Sequence, residues 1–502
     1  MVKKIRSIIT SFIIIYSFIL FSYLNHSLLL SKGYSEELYN EENYEDYDSD
    51  DEGFEDESMI EFEFKGYTEF ETFINTYKDQ ERKDANKKNE LKNNIKIDIL
   101  GEYLQFKMDI NIYINSNIID ESINNEYFYS KDFEVFRNLR ISDKSYEIIF
   151  NELFLTLGTE LFRLRIGNQK YGWGTADAIN PTTYFNPQDA RELLFRDEDE
   201  SRLAIPSASG MIFIGDYTLE LVFAPIHIPM PMAETGNFWE IKYKEGPFPV
   251  KSYKPKGLDI NSSNFAYGGR LSGSYFGSDI SLSGYHGPDK DPTIIPNETS
   301  TPINEPVEFW IKPEYYTVNY MGIDFSKTFG PIVMQFETIY SPDKTGVIDQ
   351  DMPNTTEELE DLDVPFEIEK SDYISYSVGF NYFIPLNRLI KDHEGTTLFT
   401  FEWHQSIFLD DKFMPPMYTD ILLGRIQDDF FNSFIHIAIT GAMETQNMGH
   451  VIWPEIGLDF QNGFTIKISY VNIKDFNREE DRSIFVFYDD NDIIMIKLRY
   501  EF

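Results

Sequence analysis

Five of the chain's 15 arginines lie between positions 163 and 202, in 502 residues that carry 85 acidic side chains against 44 Lys and Arg. Arg163 and Arg165 stand two apart. In a strand the side-chain period is two, so both guanidinium groups point to one face while Phe162, Leu164 and Ile166 point to the other. Lys170, Tyr171 and Trp173 follow, then Arg191, Arg196 and Arg202, with the acidic run from Asp197 to Glu200 between the last two. Rigid cations facing carboxylates across a narrow wet passage sort solutes by charge and dipole and break no bonds. The plainer role for the same arginines is to tie a loop to its wall by salt bridges, and the two roles are compatible.

Bond-making chemistry finds little support. The seven histidines, at 26, 227, 286, 393, 404, 436 and 450, show no zinc-ligand spacing. His404 and Ser406 share a strand face, but no third catalytic partner is identifiable. Phosphate-binding glycine loops are absent, and Gly268-Gly269 reads as close packing or a bend within a strand. Asp46, Asp48, Asp50 and Glu57 match calcium-loop positions one, three, five and twelve, yet Asp51 stands where that loop needs glycine. No enzyme, cofactor or metal centre is expected.

The elements that would place these side chains are strands. The last nine residues put Ile494, Ile496, Leu498, Tyr500 and Phe502 on one face and Met495, Lys497, Arg499 and Glu501 on the other. A barrel wall with lipid outside and water inside must alternate in this way. The aromatic residue at 502 resembles the signal by which outer-membrane barrels are recognised for insertion, which makes the assembly machinery a partner. The 43 Phe and 32 Tyr suit aromatic girdles at two membrane interfaces. The expected fold is all-β, a closed antiparallel transmembrane barrel of about 18 strands, with 16 as the other count.

Residues 1–35 combine Lys3, Lys4 and Arg6 with an apolar run from Ile8 to Phe21 and small residues at Ser31, Gly33 and Ser35, which reads as a secretory signal. Removing it up to Gly33, with four basic and no acidic residues, takes the formal charge from −41 to −45. Such a chain repels nucleic acid and attracts cations. With no cysteine, disulfides and N-terminal lipid attachment are excluded. Residues 36–58 are an acidic leader with too little to bury to fold.

From 59 to 502 the expected strands are 59–77, 94–100, 103–115, 147–157, 161–169, 209–215, 217–224, 263–276, 278–285, 314–326, 332–341, 372–384, 397–408, 432–441, 450–460, 464–473, 482–488 and 492–502. Counting back from Phe502 puts every long connection on the external side: 78–93, 116–146, 170–208, 225–262, 286–313, 342–371 and 409–431. The short connections 461–463 and 489–491 fall there too. Asn462-Gly463 suggests a type I′ hairpin.

Between 165 and 225 the chain resembles a family of uncharacterised, porin-like Gram-negative outer-membrane barrels often associated with RND-type exporters. The matching residues are Arg165, Gly167, Gln169, Trp173, Gly174, Asn180, Pro181, Arg202, Phe223 and Pro225, while Asn168 stands where the family has a second Arg. The resemblance implies an outer-membrane barrel with a transport function.

The leading expectation is an outer-membrane channel for small solutes, narrowed by the Arg-rich loop. Its pore residues are Arg163, Arg165, Lys170, Tyr171, Trp173, Arg191, Arg196 and Arg202, and the wall acids Glu402, Glu455 and Asp459 add a cation preference. Membrane lipid, small solutes and divalent cations at acidic loops such as Glu357 to Asp363 are the expected partners. Two alternatives stand beside it. One is a surface adhesin or structural barrel acting through its long acidic loops. The other is a transporter of apolar molecules lined by Tyr171, Trp173, Met230, Met232, Phe238 and Trp239.

Overall fold

A computed structural model describes residues 60–76, 86–115, 140–143, 146–192, 195–233, 238–240, 250–252, 255–298, 309–349, 366–386, 395–415, 420–445, 448–474, 485, 488 and 491–502. The expected signal and leader, with the Asp46 to Glu57 run, and the acidic stretch 357–363 lie outside these residues.

The first strands are β1 (Glu61–Asn75), β2 (Asn86–Leu100), β3 (Leu104–Asn115), β4 (Arg140–Asp143), β5 (Tyr146–Gly158) and β6 (Phe162–Gln169). Next come β7 (Ile205–Ile214), β8 (Tyr217–Ala224), β9 (Val250–Ser252), β10 (Ala266–Tyr275), β11 (Ser278–Pro288), β12 (Thr293–Glu298) and β13 (Phe309–Glu314). The remainder are β14 (Thr317–Phe329), β15 (Ile332–Val347), β16 (Ile368–Ile384), β17 (Thr397–Phe408), β18 (Asp420–Phe430), β19 (Ile435–Glu444), β20 (His450–Asp459), β21 (Phe464–Lys474) and β22 (Ile493–Glu501). Nineteen of them form one sheet; β4 is a short spur on β5, and the other eighteen pair in sequence order, each antiparallel to the next. Pairing of β1 with β22, from Tyr67 opposite Glu501 to Asn75 opposite Ile493, closes the ring and leaves the barrel no free edge. A separate small sheet of β12, β13 and β9 lies within the long connections.

Alternation dictates the two faces. On β22, Met495, Lys497 and Arg499 turn inward and Ile494, Ile496 and Leu498 outward, as the sequence predicts. The outer face carries a belt of exposed apolar side chains, among them Ile166, Leu221, Leu282, Met321, Ile439 and Ile456. Water would penalise such a surface by about 25 cal/mol per Å², whereas hydrocarbon does not. Aromatic residues crowd the end of the barrel with the short turns, where Phe64 meets Phe502 and Phe460 meets both Phe434 and Phe464 at ring-centroid distances of 5.5 to 5.9 Å.

Three strand expectations need correction. β2 is longer than 94–100 because Lys88, Glu90 and Lys92 are polar on its inner face, so a wall that looks inward at charges resembles a loop in sequence. β18 lies inside the stretch expected as the loop 409–431. Its Ile421, Leu422 and Leu423 run together because the upper inner wall there is apolar, which hides the period of two. Of the expected strand 482–488 only Phe485 and Tyr488 are described; neither lies in a strand, and both are buried aromatics of the interior. One strand missed and one added leave the total at eighteen but invert the sidedness between them. The turn at 461–463 therefore belongs with the short turns, and the connection between β21 and β22 is a long one on the opposite side. The hairpin at 460–463 has positive φ at Gln461 (57°) and Gly463 (85°), not at Asn462. Two successive positive φ values, as type I′ requires, occur instead at Phe276 (49°) and Gly277 (68°).

Among the described residues the two larger apolar clusters sit inside the ring, on opposite flanks of the lumen. One joins inward residues of β7, β8, β10, β11 and β14 to β16 with Tyr171, Trp173, Tyr184 and Phe185. The other joins inward residues of β1 and β18 to β22 with Phe195, Trp239, Phe485 and Tyr488.

Candidate functional site

Residues 170–204, between β6 and β7, run through the barrel interior. In ring order β2 and β15 stand nine places apart among eighteen, so they are diametrically opposed. The loop touches both walls. Its first half binds β15, β16 and β17, and its second half binds β1, β2, β3, β5 and β22.

The first half is held through its backbone. Glu337 on β15 accepts from the amides of Thr175, Ala176 and Thr182 and from the Thr182 hydroxyl, the last at 3.0 Å. Glu402 on β17 accepts from three successive amides, Asp177 at 2.9 Å, Ala178 at 3.0 Å and Ile179 at 2.8 Å. Both carboxylates are buried, and among the described residues no cationic side chain pairs with either. Three convergent amides form the nest that ordinarily captures a free anion; here the wall supplies the anion. On β16, Ser377 donates to the Ile179 carbonyl at 2.6 Å, and its Oγ lies 2.9 Å from His404 Nδ1. That hydroxyl proton is already committed, so Nδ1 carries a proton and Nε2 accepts from Ser406 at 3.0 Å, which in turn accepts from Ser375 at 2.8 Å. Ser406 and His404 are thus bonded to each other, but as links in a buried relay that ends on the loop.

Local sequence makes this path possible. Gly174 has φ of 99°, and a Cβ there would collide with the side chains of Asn180 and Glu337. Gly322 and Gly268 leave room on the wall for Tyr184 and Phe185 respectively. Asn186 ties the two ends together: it accepts from the Tyr171 amide at 2.8 Å and donates to the carbonyls of Gln169 and Leu203. The Asn180-Pro181 pair and the Trp173-Gly174 step of the sequence motif therefore sit where the loop is bent and fastened.

The second half is held through charged side chains. Arg191 binds Asp189 at 2.5 Å and Glu147 at 3.2 Å, and Arg196 binds Asp189 at 3.0 Å and Glu192 at 3.5 Å. Glu192 also receives Lys88 of β2 at 2.8 Å. Asp197 meets Lys497 at 2.9 Å and Arg499 at 3.0 Å on β22, and Glu200 accepts from Tyr67 and Tyr113 and pairs with Lys92. Burial opposes ionisation of Asp197, but Lys497, Lys92 and Arg499 outweigh it and hold its carboxyl well below the usual carboxylate range. Burial pushes the Tyr171 hydroxyl up to about 12.

The expected site residues divide into two groups. Tyr171 and Trp173 are buried to 4% and 2% exposure, Trp173 donating to Glu220 at 2.8 Å, and Arg191 is buried to 3% among carboxylates. Arg196 is likewise enclosed. Arg163 and Arg165 line the inner wall, each over an aromatic ring, Phe213 at 5.3 Å and Phe154 at 5.6 Å. Lys170 is half-buried. Arg202 joins Asp177, Asn180, Gln188 and Lys290 around a small polar cavity. Among the described side chains of the run from Asp197 to Glu200, neither Asp197 nor Glu200 is opposed by the loop arginines. Asp197 and Glu200 face wall cations instead, because the loop is threaded against β2 and β22. Met230, Met232 and Trp239 are also buried, so they are packing and not an accessible greasy lining. Of the wall acids, Glu402 lies under the loop, Glu455 sits 3.3 Å from Lys467, and Asp459 accepts from the Gln461 amide.

Glu337, Ser377, Lys88, Lys92 and Lys497 did not stand out in the sequence. Their signal is weak: each is one polar residue on the inner face of an alternating strand, and nothing local says that it meets a loop some 100 to 300 positions away.

A ring closed by β1 and β22, wrapped in an apolar belt and crossed by an inserted loop, defines the outer-membrane type of transmembrane β-barrel. The chain is similar in structure to OccAB1 of Acinetobacter baumannii, with 8% identity, a TM-score of 0.46 and coverage of 89% of this chain and 97% of that one. It is also similar to OpdK of Pseudomonas aeruginosa solved with vanillate, at 8% identity, TM-score 0.45 and 88% and 98% coverage. A third similar structure is OmpF of Salmonella typhi in complex with daunomycin, at 8%, 0.39, 88% and 97%. Neither a protein-family model nor a curated protein sequence matches the chain.

Proposed function

We propose that this barrel is an outer-membrane diffusion channel for small polar solutes, with residues 170–204 forming its constriction. The observation that carries the reading is the diametric crossing of the lumen by that loop, fastened at both walls. A ring of eighteen strands is wide enough to hold water, so whatever spans it sets the passage. Arg163, Arg165, Lys170 and Arg202 are cations placed beside that passage, and Asp177 is an exposed carboxylate of the loop. Solutes carrying both signs of charge, or strong dipoles, fit such a lining.

The test is planar-bilayer conductance of refolded protein. Stepwise currents are expected, and Arg163→Ala with Arg165→Ala should move the reversal potential toward cations. Currents no larger than those of bare lipid overturn the reading. The two apolar clusters inside the ring favour a competing reading, a closed barrel that acts through its external loops, and silent bilayers are its expected result.

Three partner proposals accompany the channel reading. Phe502, on the outer face beside Phe64, is offered to the assembly machinery, and Phe502→Ala should slow insertion. Divalent cations bridge the acidic stretch 357–363, and chelator should then lower the melting temperature. The motif between 165 and 225 suggests association with an RND-type exporter, which co-purification from membranes checks.

A further inference from the structure

We infer that Glu337 and Glu402 are positioning residues that set the aperture, acting on the loop by binding its peptide amides as an anion would. The inference rests on the channel reading and names the groups that hold its constriction in place. Six amides and one hydroxyl between Thr175 and Thr182 converge on these two carboxylates. A hydrogen bond to an ionised acceptor contributes more than a neutral one, and an amide left unmade in a buried site is costly. The contacts use the backbone and one threonine hydroxyl, so the exposed side chain of Asp177 remains turned to the solute path, where Asn381 donates to it at 2.6 Å. Ser377 holds the Ile179 carbonyl from the adjacent strand. Glu337, Ser377 and Glu402 thereby form a patch over three adjacent strands, with Ser377 on the middle one, that grips both polar groups of one short segment.

The nest geometry supplies a specific readout. Removing the Glu402 carboxylate leaves three amides converging on an empty position of carboxylate size, which a small free carboxylate can occupy. In bilayers, Glu402→Ala should raise the mean conductance roughly twofold or more with added current flicker, and Glu337→Ala with Glu402→Ala should raise it further. Formate or acetate, but not chloride at equal ionic strength, should restore the quiet wild-type level in Glu402→Ala. Formate should have no effect on wild type. Unchanged conductance and noise in the double variant, or no difference between formate and chloride, overturn the inference.

If wild type is silent and the double variant conducts, the clamp stands and the open-channel reading falls. If both are silent, the inference falls too. Hydrogen exchange on the unmodified protein in detergent micelles needs no variant: the amides of 175–179 should exchange at least about tenfold more slowly than those of the exposed Asn261–Asn264 turn. Equal rates overturn it.

Discussion

The two halves of the lumen loop are fastened by opposite chemistry. Against β15 to β17 the wall brings anions and the loop brings peptide N–H groups, so the loop's side chains there are largely spared. Against β1 to β5 and β22 the loop brings Asp189, Arg191, Glu192, Arg196, Asp197 and Glu200, and each is spent on the wall or on a neighbour. Charge in a sequence is therefore a poor guide to charge in a passage. The arginines that stand out in the sequence are partly consumed in holding the loop, and one modest segment without a cation faces the solute.

That contrast can be broken from its strong side first. Arg191→Ala would leave Asp189 and Glu147 short of a buried partner, a loss of about 3–5 kcal/mol. Limited proteolysis should then cut between 186 and 202 while the barrel keeps its folded mobility in detergent gels. Cleavage unchanged from wild type would show that the ion pairs are dispensable. A middling effect is expected at the start of the first half. Trp173→Phe retains an aromatic ring but loses the indole donor to Glu220, for about 1–3 kcal/mol in chemical denaturation of the loop. A loss as large as that of Arg191→Ala would shift the weight to the first half.

Acid tests the ion-paired half. The carboxyl of Asp197 is lowered in the folded state, so its stabilisation is complete above the ordinary carboxylate range and is lost only as pH falls through that lowered value. The signal of Phe195 and Trp239 packing should stay flat down to about pH 4 and change only in stronger acid. A transition near neutrality would mean that the ion-paired half is not what orders the loop. The smallest effect is expected at the wall. Arg163→Ala removes one cation–π contact with Phe213, about 0.5–1 kcal/mol, and should leave loop cleavage as in wild type.

Legibility followed burial of the period. Strands with apolar outward and polar inward positions, such as β22 and β6, show their phase in the sequence, and their arginines lie on the inner face that it predicts. β2 reads short in the sequence because Lys88, Glu90 and Lys92 look like loop residues when their partners are unknown. β18 hides its period of two because the upper interior is apolar and both faces of the wall there can be hydrophobic. A narrowing loop is expected from the Arg-rich stretch 163–202, whereas its anchors on the wall leave no mark in the sequence.

The residues in order were sufficient for the barrel: a period of two repeated around a closed ring is a local property of each strand, and lipid on one side with water on the other admits one arrangement of faces. Which charges are free and which are bound is a property of contact between segments far apart in the chain. Glu402 meets the Ile179 amide across 223 positions, and Lys497 meets Asp197 across 300. Only the closed ring, by bringing opposite walls within reach of one loop, made acids into anchors and left Asp177 exposed.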